Sequence, residues 1–132
     1  MPMERGIADE GLKRVAKQVK AQEEGYQGWK NYETWAVALW LDNDQGSYEY
    51  WRETLAELRE ESQDQGLRSE FTPESVTDDD LVRYELAERL KDYHDEMASE
   101  MGLQDQGVFS DLLNAALSEV DWNEIAENIM AE

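Results

Sequence analysis

The sequence predicts an all-α protein, a compact bundle of about five to six helices with a loosely attached N-terminal helix. Apolar residues recur three and four positions apart in several stretches, which is the spacing of one helix face. Residues typical of helix starts precede these stretches, and no stretch has a convincing strand pattern. The chain has 132 residues, 40% of them hydrophobic, which is enough for one core. We divide it into an N-terminal helical arm over residues 1–25 and an acidic helical domain over residues 26–132.

The N-terminal arm carries a narrow apolar stripe formed by Leu12, Val15, Ala16 and Val19. Acids precede the stripe and lysines lie toward its end, an order that the helix dipole favours. Glycines surround it on both sides. We therefore expect a helix that is held loosely or that packs only in an oligomer.

The first part of the acidic domain is rich in aromatic residues. Asn31 is a predicted N-cap, and the helix after it is apolar nearly all round from Trp35 to Leu41, which indicates a central and buried element. The composition of residues 42–46 predicts a turn. Ser47 is predicted to cap a second helix that ends at Gln65-Gly66. Most large aromatics of this hairpin are expected in the core, and the core set is Trp35, Trp40 and Trp51.

The rest of the domain contains further helix starts. A short element is predicted at Thr72-Pro73-Glu74, with proline in a first-turn position. Thr77 and three following aspartates begin a long helix that ends near Met101-Gly102. Two more helices are predicted between Val108 and Met130, the second with a start at Asp121 and Glu124 that resembles a capping box.

Charge is the most informative feature for function. Asp and Glu number 32 against 12 Lys and Arg, a net charge of -20. Residues 1–30 carry a net charge of +1, so residues 31–132 carry -21. Solubility alone requires much less charge than this. Direct binding to nucleic acid or to an anionic membrane is electrostatically disfavoured, because phosphate contacts need Lys and Arg, and a basic partner is favoured instead.

Residue types needed for catalysis or metal binding are scarce. The chain has no cysteine, which excludes disulfides and thiolate metal sites and fits a cytoplasmic protein. The single histidine, His94, is interpreted as a partly exposed residue beside a carboxylate. Asp42, Asp44 and Glu53 have the spacing of a calcium loop, but Gly46 stands one position too early, which favours a helix-helix turn. We expect no enzyme activity, no cofactor and no metal.

Two motifs resemble a known family. One is Gly28-Trp29-Lys30-Asn31-Tyr32-Glu33-Thr34-Trp35, continued by Val37 and Leu39-Trp40-Leu41-Asp42-Asn43-Asp44. The other combines residues 111–117 with residues 120–126. Both resemble motifs of a family of small, largely uncharacterised proteins carried by phages, plasmids and related mobile elements. The resemblance implies a gene context in which products that disarm host defence are common, and it transfers no catalytic residue.

The first functional hypothesis is a DNA-mimicking inhibitor. It would dock acidic helices into the basic DNA or RNA channel of a host defence system, such as a restriction or CRISPR effector, in the cytoplasm of the host cell. Carboxylates at three- and four-residue spacing on helix surfaces are the candidate partner-binding residues. They are Glu57, Glu60, Glu61, Asp78, Asp79, Asp80, Glu85, Glu88 and Asp92.

The second hypothesis is a non-enzymatic helical adaptor in which acidity only serves solubility. Its partner protein would bind an aromatic surface near Tyr26, Trp29 and Tyr50, since Trp and Tyr are frequent at interfaces. A halophilic host is a third explanation of the acidity. The aromatic hairpin and the narrow N-terminal stripe are also compatible with a homodimer.

Overall fold

The computed structural model describes residues 25–105 and 107–132 and confirms an all-α fold. Five helices lie in these residues: α1 Tyr32–Asn43, α2 Gln45–Gln63, α3 Asp78–Glu100, α4 Val108–Ser118 and α5 Trp122–Ala131. No helix of the described part is long and apolar enough to cross a membrane. The helix predicted around Leu12 to Val19 lies outside the described residues.

The core forms where α2, α3 and α5 meet, with α1 packed against α2 and α5. Leu58, Leu86 and Leu90 are completely buried, and Ile125 and Trp51 are nearly so. These residues recur on one face of each helix, because each helix buries a single stripe against its neighbours. The sequence prediction that Trp51 belongs to the core is confirmed.

Capping residues define most helix boundaries as predicted. Asn31 caps α1 by accepting a hydrogen bond from the Thr34 backbone N–H. Thr77 and Asp80 form a full capping box at the start of α3, which ends at Glu100. Asp121 accepts from the Glu124 backbone N–H at the start of α5. The predicted reciprocal bond from Glu124 is not formed, because its carboxylate accepts from the Lys30 backbone N–H instead, at 2.9 Å.

The first two helices are joined more tightly than the sequence predicts. Helix α1 continues through Asp42 to Asn43, and α2 begins at Gln45, so Asp44 is the only residue between them. The predicted five-residue turn is therefore wrong, and Asp44 instead of Ser47 is the N-cap of α2. The Asp44 carboxylate accepts from both the backbone N–H and the hydroxyl of Ser47, at 3.0 and 2.8 Å. A single capping side chain replaces the turn.

Burial of α1 also differs from the prediction. Thr34, Ala38 and Leu41 are buried, but Trp40 is 75% exposed and Leu39 is 39% exposed. Trp35 is half-buried. A helix that lies at the edge of a bundle covers only the stripe that faces its neighbours, so the expectation of a central, fully buried α1 is wrong. The predicted short element at Thr72-Pro73-Glu74 is a pair of turns and not a helix.

Candidate partner-binding surface

The predicted acidic rows lie on two adjacent helices. Helices α2 and α3 pack together through Trp51 and Tyr93, whose ring centroids are 5.4 Å apart. Tyr50 stacks on the same Tyr93 ring at 5.9 Å, so its side of α2 faces α3. Helical periodicity places Glu57 and Glu61 on that side, seven and eleven positions after Tyr50. We call the surface along this line of contact the acidic seam.

Helix α3 contributes the other edge of the acidic seam. Glu85 and Asp92 are seven positions apart and so lie on one side of α3. Arg89 stands between them and pairs with Glu85 at 3.3 Å. The row on α3 continues to Glu96, which the sequence pattern also includes in that row. The sequence analysis missed Glu53, which extends the row on α2 at the same spacing and is found by continuing that row four residues before Glu57.

Three of the nine candidate carboxylates already have cationic partners. Asp78 pairs with Arg68 at 3.0 Å, Asp80 with Arg83 at 3.2 Å, and Glu85 with Arg89. The hydrogen bonds from Thr77 and the ion pair with Arg83 hold the pKa of the Asp80 carboxyl below its usual value. Asp78 and Asp80 stabilise a loop and the start of α3, Glu85 pairs within α3, and all three are less available to a partner.

Six candidate carboxylates are exposed and have no ion pair within the described residues: Glu57, Glu60, Glu61, Asp79, Glu88 and Asp92. They do not form one cluster. Glu60 lines a groove with Arg52 and Arg59 on the α5 side of α2, and Asp79 lines another with Arg59 and Arg83. The acidic seam is therefore built mainly from Glu57, Glu61, Glu88 and Asp92, with Glu88 on its outer margin.

The basic side chains of the described residues are engaged within the protein. Arg52 pairs with Asp42 and with Glu132, and it stacks on the Tyr48 ring at 3.6 Å. Arg59 donates to the Met130 carbonyl oxygen at 3.2 Å. Lys91 pairs with Asp95 at 3.1 Å, which raises the pKa of the Lys91 ammonium. The surface is consequently left with an excess of carboxylates and little cationic charge to offset it.

The three aromatic interface candidates occupy different places. Trp29 is half-buried and packs against the core. Tyr26 packs edge-to-face against Tyr32 and at a tilt against Trp35, two residues of α1, with ring centroids 5.2 and 5.0 Å apart. Tyr50, which is 50% exposed, lies instead at the acidic seam, where its ring contacts Tyr93. The structure thus does not bring Tyr50 together with the other two.

Two exposed apolar surfaces were missed by the sequence analysis. One is on α1 and contains Trp40. The other is on α4, where Val108, Phe109 and Leu112 are 63%, 81% and 62% exposed. Within the described residues, α4 packs extensively against no other helix. Local sequence contains no signal for this, since a buried and an exposed apolar stripe have the same spacing.

His94 contacts the backbone of its own helix and the ring of Trp122 on α5. Its Nδ1 lies 2.7 Å from the Leu90 carbonyl oxygen, and its ring lies 5.1 Å from that of Trp122. Burial lowers the pKa of its imidazole, against the opposing effects of the Leu90 hydrogen bond and Asp95. No group of three or more His, Cys, Asp or Glu in the part of the chain described here could hold a metal ion.

The comparisons with known proteins identify a family without a known activity. Residues 22–132 match the model of a family of unknown function, DUF7249. No curated protein and no solved structure matches the chain. The matched region contains all five helices, both motifs quoted above and every candidate residue of the acidic seam. The chain belongs to the family of unknown function DUF7249.

Proposed function

We propose that this protein is a non-catalytic DNA mimic that occupies the basic channel of a nucleic-acid-binding defence protein. The observation that carries the proposal is the acidic seam, where Glu57, Glu61, Glu88 and Asp92 are exposed without ion pairs in the described residues. The basic residues nearby are paired internally, so the excess negative charge faces outward.

The spacing of these carboxylates is comparable with that of DNA phosphates. Residues four apart on a helix are about 6 Å apart along its axis. Each strand of B-DNA carries one phosphate per roughly 3.4 Å. One row alone therefore has about half the charge density of a DNA strand, and two adjacent rows approach it. A channel lined with Lys and Arg would recognise such an array chiefly through its charge.

The resemblance to small proteins of phages and plasmids supports this choice of partner. Mobile elements benefit from products that block restriction or CRISPR effectors, and those effectors bind nucleic acid through basic channels. Electrostatic attraction of this kind increases the association rate and is weakened by salt.

The test is competition binding to a panel of restriction and CRISPR effector complexes, with duplex DNA as competitor and ionic strength varied. The seam variant is Glu57→Gln, Glu61→Gln, Glu88→Gln and Asp92→Asn. The matched control removes four carboxylates elsewhere, with Glu70→Gln, Glu74→Gln, Asp105→Asn and Asp111→Asn. We expect the parent to exclude DNA, and the seam variant to lose about tenfold or more in affinity while the control loses much less.

Two results would overturn the proposal. One is a seam variant that binds as tightly as the control variant, because the seam would then contribute no more than general acidity. The other is a partner that binds independently of salt and leaves its DNA site open.

A second candidate function is a helical adaptor, and the exposed α4 surface favours it. Phe109 and Leu112 are large apolar residues with more than half of their surface exposed. Exposed apolar patches on small proteins commonly mark binding sites. Binding through α4 would be weakly salt-dependent and sensitive to Phe109→Ala, and it would be unaffected by the seam variant. Trp29→Ala tests the aromatic surface that the sequence analysis proposed. Because Trp29 packs against the core, the folding of this variant has to be measured as well.

A further inference from the structure

Two tyrosines form an exposed aromatic pair where α2 meets α3. Tyr50 on α2 is 50% exposed and Tyr93 on α3 is 39% exposed, and their ring centroids are 5.9 Å apart. Both rings stand nearly perpendicular to the ring of Trp51, at 4.9 and 5.4 Å, and Trp51 is only 2% exposed. A buried indole therefore holds in place two rings that are open to solvent. We call Tyr50 and Tyr93 the tyrosine pair.

Carboxylates flank the tyrosine pair on both helices. Glu53 lies three residues after Tyr50, and Glu96 lies three residues after Tyr93, which is the spacing of neighbours on a helix surface. Both glutamates are exposed and have no ion pair within the described residues. The cations of α3 nearest to Tyr93 in sequence are paired with carboxylates of their own helix. The tyrosine pair thus has negative charge beside it and an open aromatic surface.

Elsewhere in the protein, the same combination of a tyrosine ring and a carboxylate holds an arginine. Arg52 lies over the ring of Tyr48, with its guanidinium carbon 3.6 Å from the centroid, and Arg83 lies over the ring of Tyr84 at 4.8 Å. Each of these arginines also forms an ion pair with a carboxylate. No arginine or lysine of the described residues lies over the tyrosine pair. The ring and the carboxylates of such a contact are therefore present there, and the cation is left for a partner to supply.

We propose that the tyrosine pair binds one arginine side chain of the basic partner, whose guanidinium stacks on the rings and donates hydrogen bonds to the flanking carboxylates of Glu53 and Glu96. A guanidinium between two rings would need about 7 Å, two contact distances of about 3.5 Å each, so it lies on the solvent side of the pair. The inference rests on the proposed function for the identity of the partner, and it adds which side chain of the partner's channel is recognised.

The chemistry of the site favours arginine over other occupants. A guanidinium is planar and weakly hydrated, so it can stack on a ring and donate to a carboxylate at the same time. The lysine ammonium has no planar face and is more strongly hydrated. A nucleobase also stacks on tyrosine, but the phosphates of its strand would be repelled by the carboxylates.

Binding of capped hexaarginine and hexalysine peptides to the full-length chain tests the proposal, because the two probes carry the same charge. The ratio of their Kd values, measured by calorimetry at one ionic strength, gives the preference for a guanidinium over an ammonium. Tyr50→Leu removes a ring of the tyrosine pair, and Tyr50→Phe retains it. The matched control is Tyr32→Leu, which removes a tyrosine that is 55% exposed on α1 and has no carboxylate three or four residues away.

We expect hexaarginine to bind more tightly than hexalysine, and Tyr50→Leu to reduce this preference about threefold. Tyr50→Phe and Tyr32→Leu should leave the preference nearly unchanged. A preference that is unchanged in Tyr50→Leu, or that falls equally in Tyr32→Leu, would overturn the proposal.

A second variant changes only exposed side chains and so tests the site without disturbing the core. Glu53→Gln with Glu96→Gln should reduce the preference for hexaarginine about twofold or more, because a guanidinium loses hydrogen bonds to charged acceptors. Its matched control is Glu70→Gln with Glu74→Gln, which removes two carboxylates of the loop before α3. Equal preferences in these two variants would also overturn the proposal.

The peptide test contains no defence protein, so its failure can be distinguished from failure of the proposed function. An unchanged preference in Tyr50→Leu, together with an effector that is bound in competition with DNA, would overturn the arginine site alone. A reduced preference, together with a partner that leaves its DNA site open, would retain the arginine site and overturn the proposed function.

Discussion

Helices α4 and α5 are neighbours in sequence and similar in length, yet they differ in what covers them. Helix α5 has ten residues and buries Trp122, Ile125, Ala126 and Ile129. Helix α4 has eleven and buries only Ser110, while Phe109 is 81% exposed. Both are amphipathic. An apolar stripe therefore indicates that a helix needs a partner surface. The rest of the fold decides whether the chain itself supplies that surface.

The largest expected difference between the two helices is in their contribution to stability. Ile125→Ala should destabilise the protein by about 2–5 kcal/mol, because it removes a side chain that is 1% exposed from a packed core. Phe109→Ala should change stability by about 0.5 kcal/mol or less, as for most exposed positions. Urea unfolding of the two variants measures this. Equal losses would show that α4 is packed in solution.

A second prediction concerns the joint between α1 and the start of α5. Thr34 is completely buried, and its hydroxyl donates to Asn31 Oδ1 at 2.6 Å while accepting from the Asp121 backbone N–H at 2.9 Å. Thr34→Val keeps the shape but leaves that N–H without a partner, at a cost of about 1–3 kcal/mol. Thr72→Val, at a loop position, is the control. A stability loss no larger than the control's would contradict the role of this joint.

A substitution at a helix N-cap should change the free energy of unfolding by a smaller amount. The N-cap of α3 is Thr77, which forms a capping box, whereas the N-cap of α4 is Gly107, which has φ 140° and offers no side-chain cap. Thr77→Ala should cost about 1 kcal/mol, and Ser99→Ala on the same helix much less. Amide hydrogen exchange should also show faster exchange in the first turn of α4 than in that of α3. Comparable protection of the two turns would contradict this.

The smallest expected effect is a pH dependence of stability through His94, whose ring contacts Trp122 of α5. Its pKa in the folded protein is below the ordinary value of 6.5 because burial disfavours the charged imidazole. The unfolded chain then binds more protons, so this contribution is present above about pH 6.5 and is lost as the pH falls below it. Urea midpoints near pH 7.5 and about pH 5.5 should show a larger acid loss for the parent than for His94→Gln. An equal loss of stability on acidification in the parent and in His94→Gln would contradict the burial of the neutral ring.

Local chemistry made most helix boundaries predictable. Asn31, Thr77 and Asp121 each cap the helix expected of them, because capping depends on residues three positions apart. The exposure of Trp40 was not predictable in this way. It depends on which side of α1 meets α2 and α5, and a helix that is apolar all round contains no information about that choice.

The acidic seam was partly predictable for the same reason. Spacing along each helix placed carboxylates in rows, but only the packing of α2 on α3 makes the two helices that carry these rows neighbours. Packing also separates Glu60 and Asp79 from the rest, and engages Asp78, Asp80 and Glu85 in ion pairs. The ion pair between Asp78 and Arg68 depends on the geometry of the loop before α3, and helical periodicity cannot predict that geometry.

Asp44 has a consequence for the direction in which the side chains of α1 face. As the only residue between α1 and α2, it donates its backbone N–H to Trp40 and accepts from Ser47 with its side chain. One inserted or deleted residue here would turn α1 by about 100° around its axis, since a helix has 3.6 residues per turn. The outward direction of Trp40 is thus set by a count of residues. A change in the length of this junction would therefore aim a different side of α1 at the solvent.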